Sequence, residues 1–449
     1  MSAIAVTRPA GAAPAARGAA LCDPGTYRSL GSAAGLAVSA GAGRVDGRPV
    51  YVWAQDPSVH GGSLGAQEGE TIARVTRMAS WSRAPVVGFV ASGGARLQEG
   101  LGALTAYAGI FHAQALAEVP QIAIVDGVCA GGAAYSPALG DLVIMAGADA
   151  RMFLTGPKIV ARALREDVTA EALGGPAVHG ANGVAHVVTE TDVEAVAAAR
   201  RLLGLLPGAV GGAPPARSPA PPRAGSPGDV VPGEHRRVYD VRDVAARIVD
   251  GGELAELGAG WARNLVTGLG RLEGRPVGVI ANQPRRLGGV LDADASAKGA
   301  WFVEFCDRFG LPLAVLVDTP GFLPGTRQES AGVIRHGAAL VRAFARARVP
   351  RATVTLRQAY GGAHIAMNSR DLGAAATFAW AGARIGVMGA REAVEIVERR
   401  SIAAGADPGA LARAYAEEHL PAERAAAGGH VDEVIAPADT RARLALALL

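Results

Sequence analysis

The chain contains Ala130-Gly-Gly-Ala133 in its first half and Tyr360-Gly-Gly-Ala363 in its second half. Outward from these stretches, further motifs recur in the same order: Gly61-Gly62 matches Gly288-Gly289, Pro85-Val-Val-Gly matches Pro312-Leu-Ala-Val, Gln98-Glu99 matches Gln328-Glu329, and Val119-Pro120 matches Val349-Pro350. The offset is 227 residues for the first two of these pairs and 230 for the later ones, so one loop of the second copy is about three residues longer. Because the repeat is far longer than the roughly 20–50 residues of a solenoid unit, it indicates a duplicated domain. Two copies of one fold suggest a single active site built from both.

The composition is that of a globular protein with more than one domain. Half of the 449 residues are apolar and 19% are charged, so each half can bury a core of its own. A net charge of +3 with 5% aromatic residues offers no basic, aromatic surface for nucleic acid. The cysteines (Cys22, Cys129 and Cys306) lie too far apart in sequence for a disulfide framework or zinc spacing, which favours a reduced, cytoplasmic setting and no metal. No apolar run reaches the about 18 residues of a membrane helix, so no membrane partner is expected.

The chain has one strong boundary signal. Residues 207–233 contain eight prolines and predict an extended linker between an N-terminal domain at 31–206 and a C-terminal domain at 234–449. Residues 1–30, rich in Ala, Gly, Pro and Arg, are interpreted as a disordered leader and not as a signal peptide. Short apolar runs predict buried strands at 85–90, 121–125, 142–145, 313–317 and 353–356, and apolar spacing predicts a helix at 192–206. Strands alternating with Ala-rich helical stretches are typical of an α/β fold with a parallel sheet.

The two glycine pairs are the best candidates for chemistry. Gly131 and Gly132 follow a predicted strand and precede an Ala-rich stretch, so we expect a strand-to-helix turn with backbone N–H groups and a helix dipole facing one point. Gly361 and Gly362 repeat this pattern. Such a turn can serve as an oxyanion hole, in which each N–H donor is worth about 3 kcal/mol. Alternatively, glycine pairs merely permit tight packing, but their matched register in the two copies favours the oxyanion holes.

Other chemistries lack support in the sequence. The only lysines, Lys158 and Lys298, follow Pro and Ala, so no P-loop for ATP exists. Ser63 in Gly61-Gly-Ser-Leu-Gly65 matches the nucleophile-elbow pattern, but no apolar run leads directly into it and the second copy has Val290 there. We interpret this match as accidental.

A few polar side chains remain open in function. His179 and His186 are interpreted as loop or packing residues, whereas His364 follows the second glycine pair directly and is as well placed to line the site. Arg96 could hold a phosphate or pair with Glu99, and we favour the ion pair, because a Gly-rich loop alone is weak support for a phosphate site.

Several motifs together resemble a known family. They are Ser92-Gly-Gly-Ala-Arg-Leu-Gln-Glu-Gly100, Cys129-Ala-Gly-Gly-Ala-Ala-Tyr-Ser-Pro137, Leu154-Thr-Gly-Pro157, Glu166-Asp-Val-Thr169, Asp318-Thr-Pro-Gly-Phe-Leu-Pro-Gly-Thr326, Ile334-Arg-His-Gly-Ala338 and Ala359-Tyr-Gly-Gly-Ala363. In this order, from about Gly61 to Arg441, the chain resembles the carboxyltransferase (β) subunits of biotin-dependent acyl-CoA carboxylases, the propionyl-CoA carboxylase and methylmalonyl-CoA carboxyltransferase group. The resemblance implies two tandem crotonase-like (ClpP/crotonase) domains, a hexamer built from dimers, and transfer of a carboxyl group from carboxybiotin to the α-carbon of an acyl-CoA.

The resemblance also implies roles for individual residues. Gly131 and Gly132 would hold the oxygen of the thioester enolate, and Gly362 and Ala363 the ureido oxygen of biotin. The coenzyme A thioester would lie against Gly93, Gly94, Ala95, Arg96, Ala130 and Ile365, and biotin against Phe322, Leu323, Pro324, Gly325 and Tyr360. Since neither lysine lies in the Met-Lys-Met context that carries biotin, the cofactor would arrive on a biotin carboxylase or biotin carrier subunit.

The sequence departs from the family pattern at some positions and leaves two other functions open. Val128 replaces a proline that is usual before Cys129, Thr71 replaces a common lysine, and Ile365 replaces an Asp that propionyl-type members often have beside the acyl group. The acyl group therefore stays open, with acetyl, propionyl or a longer chain as candidates. A decarboxylase acting on a malonyl-type thioester, or a degenerate subunit that only completes a hexamer, are the alternatives, although both glycine turns are intact.

Overall fold

The computed structural model describes residues 14–31, 35–234 and 237–449, and the chain forms two compact units that meet in sequence at Pro215 and Ala216. Each unit contains one mixed sheet with helices packed around it. The strands of the N-terminal unit are β1 Arg28–Ser29, β2 Val38–Val45, β3 Arg48–Gln55, β4 Val86–Ser92, β5 Gln121–Ala130, β6 Leu142–Ala146, β7 Arg151–Phe153 and β8 Val187–Thr189. Its helices are α1 Pro14–Leu21, α2 Ala66–Trp81, α3 Leu101–Ala115, α4 Tyr135–Leu139, α5 Pro157–Leu164, α6 Ala170–Gly174, α7 Pro176–Asn182 and α8 Asp192–Leu203.

The C-terminal unit repeats this architecture. Its strands are β9 Ala255–Leu257, β10 Leu265–Leu272, β11 Arg275–Asn282, β12 Leu313–Thr319, β13 Arg351–Tyr360, β14 Ala376–Trp380, β15 Arg384–Gly386 and β16 Glu433–Ile435. Its helices are α9 Val241–Ala246, α10 Ala293–Arg308, α11 Thr326–Ser330, α12 Val333–Arg346, α13 Gly361–Ala366, α14 Ala390–Val397, α15 Arg399–Ala403, α16 Pro408–His419, α17 Ala422–Ala427 and α18 Thr440–Leu448.

The two sheets have the same topology. The strand order is β1-β2-β3-β4-β5-β6-β8 in one and β9-β10-β11-β12-β13-β14-β16 in the other, with β7 and β15 pairing β5 and β13 off this path. The first three strands of each sheet are antiparallel and the others are parallel. Matching topology strand by strand is what a duplication produces.

The predicted strands are all present, and most extend further at their carboxyl ends. Every residue of β4 and β12 is buried, as expected for parallel strands covered on both faces. The unpredicted part is the antiparallel hairpin at the start of each sheet. Its tight turn is Asp46-Gly47 in one unit and Glu273-Gly274 in the other, all at positive φ (49°, 75°, 48° and 79°), the backbone shape of a two-residue hairpin turn.

Part of the expected leader and linker is folded. Residues 1–13 of the expected leader lie outside the described residues, whereas 14–21 form α1, whose Arg17 and Leu21 are buried. Within residues 207–233, backbone N–H groups of Val210, Arg217 and Arg223 donate to Glu118, Gly274 and Ala246 of their own units. This stretch therefore docks along each unit, because its prolines leave enough N–H groups to pair with the neighbouring chain. None of the helices within the described residues has the length and apolar character needed to cross a membrane.

Candidate active site

The first glycine turn lies at the carboxyl end of β5. Gly131 has φ 61° and begins a single 3-10 turn, Gly131–Ala134, which leads into the five-residue helix α4. Gly131 and Gly132 are half-buried, whereas Ala133 is buried. The positive φ is the left-handed conformation that glycine adopts at no steric cost.

The second glycine turn has the same geometry at the end of β13. Gly361 has φ 58°, and the six-residue helix α13 begins there. Tyr360 and Ala363 are buried while Gly362 is exposed. The expected Ala-rich helix behind each turn is therefore only one or two turns long, so the individual N–H groups of the turn, more than a long helix dipole, can act on a bound oxygen.

An aromatic ring packs against the second glycine of each turn. A Cβ atom added to Gly132 would lie 3.3 Å from the ring of Tyr107 on α3, and one added to Gly362 would lie 3.6 Å from the ring of Phe322. The position in α12 that corresponds to Tyr107 is Gly337, at the offset of 230, and its added Cβ would lie 3.3 Å from the same Phe322 ring. The two units thus supply the ring from different elements. In the N-terminal unit the ring comes from helix α3, and in the C-terminal unit it comes from the loop that follows β12.

The candidate substrate loop, residues 93–96, and the candidate biotin loop, residues 322–325, occupy equivalent places in the two units. Ala95 forms a parallel bridge with Leu64, and Phe322 forms the same bridge with Leu291. These pairs preserve the offset of 227, which becomes 230 at Gln328. The three extra residues of the second copy therefore lie between Leu323 and Gln328, within the candidate biotin loop.

The structure brings some of the candidate residues together. Gly94, with φ 101°, lies so close to the first turn that an added Cβ would come within 2.9 Å of the Ala130 carbonyl oxygen. Gly93 is exposed beside it, and Ala95 is half-buried. In the other unit, the backbone N–H of Leu323 donates to Leu291 O at 2.7 Å, and Pro324 and Gly325 continue the loop as exposed residues before α11.

Arg96 forms ion pairs, as we favoured. Its guanidinium contacts the carboxylates of Glu68 at 2.5 Å and Glu99 at 2.9 Å, and donates to Ser63 O at 2.8 Å. The ion pair with Glu68 on α2 was not predicted, because no sequence pattern links Arg96 to a residue 28 positions earlier. These bonds tie the Gly93–Arg96 loop to the start of α2, so Arg96 braces the loop.

A buried charge network supports the second turn. Asp318, at the end of β12, is fully buried and accepts from Arg357 Nε at 2.7 Å and from the Tyr239 hydroxyl at 2.8 Å. Arg357 precedes Tyr360 on β13 and also donates to the carbonyl oxygens of Glu234 and Arg237. Burial raises the pKa of Asp318, against the lowering effect of Arg357 and Tyr239. The pair joins the two strands that lead into the Phe322 loop and the Gly361-Gly362 turn.

A cleft of about 1060 Å³ opens beside the second turn. Ile365, Leu372, Ile385 and Val387 supply apolar walls, and Gly361 and Gly362 contribute their backbone. His364, His419, Arg424 and His430 place basic groups around the cleft. Burial, and then the charge of His430, lower the pKa of His364, which favours its neutral form. Ile365 is 52% exposed and so is available to a ligand.

The two other histidines pack, as interpreted. His186 Nδ1 accepts from the backbone N–H of Val143 at 2.9 Å, and burial lowers its pKa to about 4. His179 Nε2 pairs with the Met152 carbonyl. Lys298 is also structural: its ammonium donates to the carbonyl oxygens of Gly258, Trp261 and Leu265. Among residues 14–31, 35–234 and 237–449, no group of three or more His, Cys, Asp or Glu could hold a metal ion.

Comparison with known proteins identifies related chains. The family model for the carboxyl transferase domain matches residues 25–449. The methylmalonyl-CoA carboxyltransferase 12S subunit of Propionibacterium freudenreichii is 47% identical over 92% of this chain and 80% of its own length. The propionyl-CoA carboxylase beta chain of Saccharopolyspora erythraea is 44% identical over 92% and 80%, and the methylmalonyl-CoA decarboxylase subunit alpha of Veillonella parvula is 43% identical over 92% and 82%.

A solved structure matches the whole architecture. The crystal structure of transcarboxylase 12S, a hexamer with methylmalonyl-coenzyme A and methylmalonic acid bound, superposes with a TM-score of 0.93 at 43% identity and covers 97% of this chain and 88% of its own. This match confirms the expected pair of tandem crotonase-like domains.

Proposed function

Because this chain belongs to the carboxyltransferase family of biotin-dependent acyl-CoA carboxylases, we propose that it moves a carboxyl group from carboxybiotin, held by a partner protein, to the α-carbon of a short acyl-CoA such as propionyl-CoA or acetyl-CoA. The observation that carries this proposal is the glycine turn that occurs once in each unit with nearly the same φ value, 61° at Gly131 and 58° at Gly361. Carboxyl transfer through an enolate develops negative charge on two oxygens and needs no side-chain nucleophile, so two sets of N–H donors suffice.

The N-terminal turn is proposed to bind the thioester. Gly131 and Gly132 would donate to the thioester oxygen as the α-proton leaves, so that they stabilise the enolate more than the ground state. Gly93, Gly94, Ala95 and Ala130 would lie along the thioester, since Gly94 packs directly on Ala130. Arg96 would act through its bonds to Glu68 and Glu99 by holding this loop in place.

The C-terminal turn is proposed to bind biotin, which when bound carries the carboxyl group to be transferred. The residues present fit such a group. Gly362 is exposed and needs no side chain, Ala363 is buried behind it, and the Phe322 ring beside it offers a flat apolar surface. The backbone N–H groups of Gly362 and Ala363 would donate to the ureido oxygen. The path along which biotin enters would be lined by Phe322, Leu323, Pro324 and Gly325. The buried Tyr360, which precedes the turn, would support it.

The proposed acyl group and the proposed oligomer are inferred from the related proteins. Their names point to propionyl and methylmalonyl thioesters, and the apolar Ile365 beside the second turn suits an apolar acyl tail. The hexamer of the structural neighbour supports a dimer-based hexamer for this chain. A biotin carboxylase or biotin carrier subunit would deliver biotin, as neither lysine of this chain has the sequence context of a biotinylation site.

A second candidate function uses the same residues in the opposite direction. The decarboxylase relative supports removal of a carboxyl group from a malonyl-type thioester, with biotin as the acceptor. Both directions pass through the same enolate, so the same N–H donors would serve.

The test is reconstitution from purified parts. The chain is mixed with a biotinylated carrier protein and methylmalonyl-CoA that is radiolabelled in its free carboxyl group. Label on the carrier is counted first, and then label on acetyl-CoA or propionyl-CoA added as acceptor. We expect carrier labelling that needs both biotin and this chain, and onward transfer to the acceptor. Because the first transfer is reversible, both candidate functions predict return of label to propionyl-CoA. Transfer to acetyl-CoA as well would favour the carboxyltransferase, label that returns to propionyl-CoA alone would favour the decarboxylase, and no labelling at all, with several carriers, would contradict carboxyl transfer. ATP-driven carboxylation by the chain alone would contradict the need for a partner.

A further inference from the structure

A second cavity of the C-terminal unit lies on the loop that follows β11. Its volume is about 370 Å³, and its walls are almost entirely polar: Asp240, Arg242, Arg263, Gln283, Arg285 and Arg286. Four guanidinium groups thus face one cavity, and Asp240 is the only acidic residue among the described residues that line it. Glu256 outside the cavity wall pairs with Arg242, and an anion in the cavity would reduce the mutual repulsion of the other three guanidinium groups.

Hydrogen bonds and ion pairs hold Arg242 in place, and a weaker contact reaches Arg285. Gln283 is 1% exposed, and its Nε2 donates to Asp240 Oδ1 at 2.6 Å. Arg242 forms a two-bond pair with Glu256, at 2.7 Å for each bond, and its backbone N–H donates to Asp240 at 3.0 Å. Arg285 reaches the other carboxylate oxygen of Asp240 at 3.4 Å. The carboxylate of Asp240 is therefore already shared between its neighbours and cannot neutralise the remaining arginines.

The other two arginines have no anionic partner. Arg263 and Arg286 are exposed and form no ion pair with any described residue, yet both contribute to the cavity wall. A guanidinium carries five N–H donors in a planar fork that matches two phosphate oxygens. Unpaired guanidinium groups in the same cavity wall as Arg242 suit bidentate hydrogen bonding to phosphate.

The equivalent loop of the N-terminal unit lacks this feature, although it has the same shape. His60 and Leu287 both have φ 48°, and the glycines that follow them, Gly61 and Gly288, have φ 63° and 65°. At the offset of 227, however, Ser58 and Val59 replace Arg285 and Arg286. The loop therefore folds without arginines, and their presence in one copy only calls for an explanation other than folding.

We propose that this cavity binds a diphosphate group, that of a coenzyme A thioester or of a separate nucleoside diphosphate. Its volume lies at the low end of small-molecule sites, roughly 300–1,000 Å³, so phosphates would enter and the rest of the ligand would extend outside. The site goes beyond carboxyl transfer; only its coenzyme A form rests on the function proposed above.

The experiment measures binding by isothermal titration calorimetry on the full chain at low salt. The probes are inorganic pyrophosphate, ADP and free coenzyme A. The double variant Arg263→Gln/Arg286→Gln removes the two unpaired cations, and Arg399→Gln/Arg400→Gln removes the same charge from exposed positions on α15 of the same unit. We expect pyrophosphate to bind the wild type, with affinity at least about tenfold lower in the first variant and unchanged in the second.

The outcomes separate the site from its ligand. No pyrophosphate binding to the wild type, or an equal loss in both double variants, would overturn the proposal, since only overall charge would then matter. If coenzyme A competes with pyrophosphate and the first variant raises the KM for acyl-CoA, the site holds the coenzyme. If ADP competes while coenzyme A and this KM are unaffected, the ligand is a separate nucleotide. Because binding is measured without turnover, a failure of the carboxyl-transfer proposal would leave this result intact.

Discussion

In each unit a buried ion pair lies on a strand that leads toward the glycine turn, but the paired residues come from different structural elements. In the N-terminal unit, Arg17 of α1 lies 3.3 Å from Asp126 on β5, and in the C-terminal unit, Arg357 on β13 lies 2.7 Å from Asp318 on β12. All four side chains are at least nine-tenths buried. The positions equivalent to Asp318 and Arg357 in the first copy are Ala91 and Gly127, which leave no room for an ion pair. The same fold thus tolerates two solutions: one turn depends on a helix from the start of the chain, and the other is braced within its own sheet.

The aromatic rings against the turns differ in the same way. Tyr107 reaches Gly132 from a helix, whereas Phe322 reaches Gly362 from a loop and faces Gly337 where the first copy has its tyrosine. Large and small residues have exchanged places, while a ring in contact with the second glycine is kept. Conservation of the contact, with its source changed, indicates that the ring beside the turn matters in both units.

The largest effect is expected from removing an N–H donor in either turn. Gly132→Pro and Gly362→Pro each take away the donor that a developing oxyanion needs, so kcat should fall by about 100-fold or more. Gly362→Ala is the matched control: it keeps the N–H, and its Cβ would sit at an ordinary 3.6 Å from Phe322. Steady-state kinetics with circular dichroism checks this. A folded proline variant with more than about a tenth of the wild-type rate would contradict the donor role.

The next effect concerns the braced strands of the C-terminal unit. Arg357→Met leaves the Asp318 carboxylate buried without its counter-ion, so the free energy of unfolding should fall by about 3–5 kcal/mol. Hydrogen exchange should locate the loss in β12 and β13, and the effect on the KM for the biotin carrier should exceed that on the KM for acyl-CoA.

Two further variants make this prediction sharper. The double variant Arg357→Met/Asp318→Leu removes both charges and should recover much of the stability, because no lone ion stays buried. Arg357→Lys retains a charge but loses the fork that reaches Asp318 and two carbonyl oxygens, so it should lie between Met and wild type. If Arg357→Met lowers the free energy of unfolding by less than about 1 kcal/mol, the pair contributes no more than an exposed salt bridge does, and the prediction is wrong.

The sequence alone predicts the duplicated α/β fold and its turns, because both depend on local signals. Buried strands such as β12 read as continuous apolar runs, and glycine pairs mark turns wherever they occur. The offset of 227 that becomes 230 even places the longer loop. These signals need no knowledge of tertiary contacts.

Other features could not be predicted because they join residues distant in sequence. Nothing local links Arg96 to Glu68, or Arg17 to Asp126, before the sheet is assembled. The burial of α1 was missed because its Ala-rich sequence has only weak apolar spacing. Aligning the two copies places Gly337 at the position of Tyr107, but only the structure shows that Tyr107 and Phe322 each pack on the second glycine of their turn.

A smaller effect is expected from moving the ring between elements in the C-terminal unit. Gly337→Tyr should destabilise, because its added atoms meet the Phe322 ring at 3.3 Å, and Phe322→Ala should leave a gap. The double variant Gly337→Tyr/Phe322→Ala rebuilds the arrangement of the N-terminal unit. We expect a favourable coupling of about 1–3 kcal/mol in unfolding experiments. If the changes in the free energy of unfolding of the two single variants simply add up in the double variant, a ring at position 337 does not replace the ring of Phe322.

The smallest effect is expected at Ile365, which has no constraint from packing because it is half exposed beside the second turn. Ile365→Asp places a charge on the wall of the cleft, which should disfavour apolar acyl tails. We expect the kcat/KM ratio between acetyl-CoA, propionyl-CoA and butyryl-CoA to change by roughly tenfold, the lower end of the about 1–3 kcal/mol that one methylene is worth. Ile396→Asp is the matched control, because Ile396 is similarly exposed on α14 but does not line the cleft. Competition assays with paired acyl-CoA substrates measure the ratio directly, independent of enzyme concentration. If Ile365→Asp alters the ratio no more than Ile396→Asp does, then Ile365 lies outside the acyl pocket, and the cleft beside the second turn serves another part of the substrate.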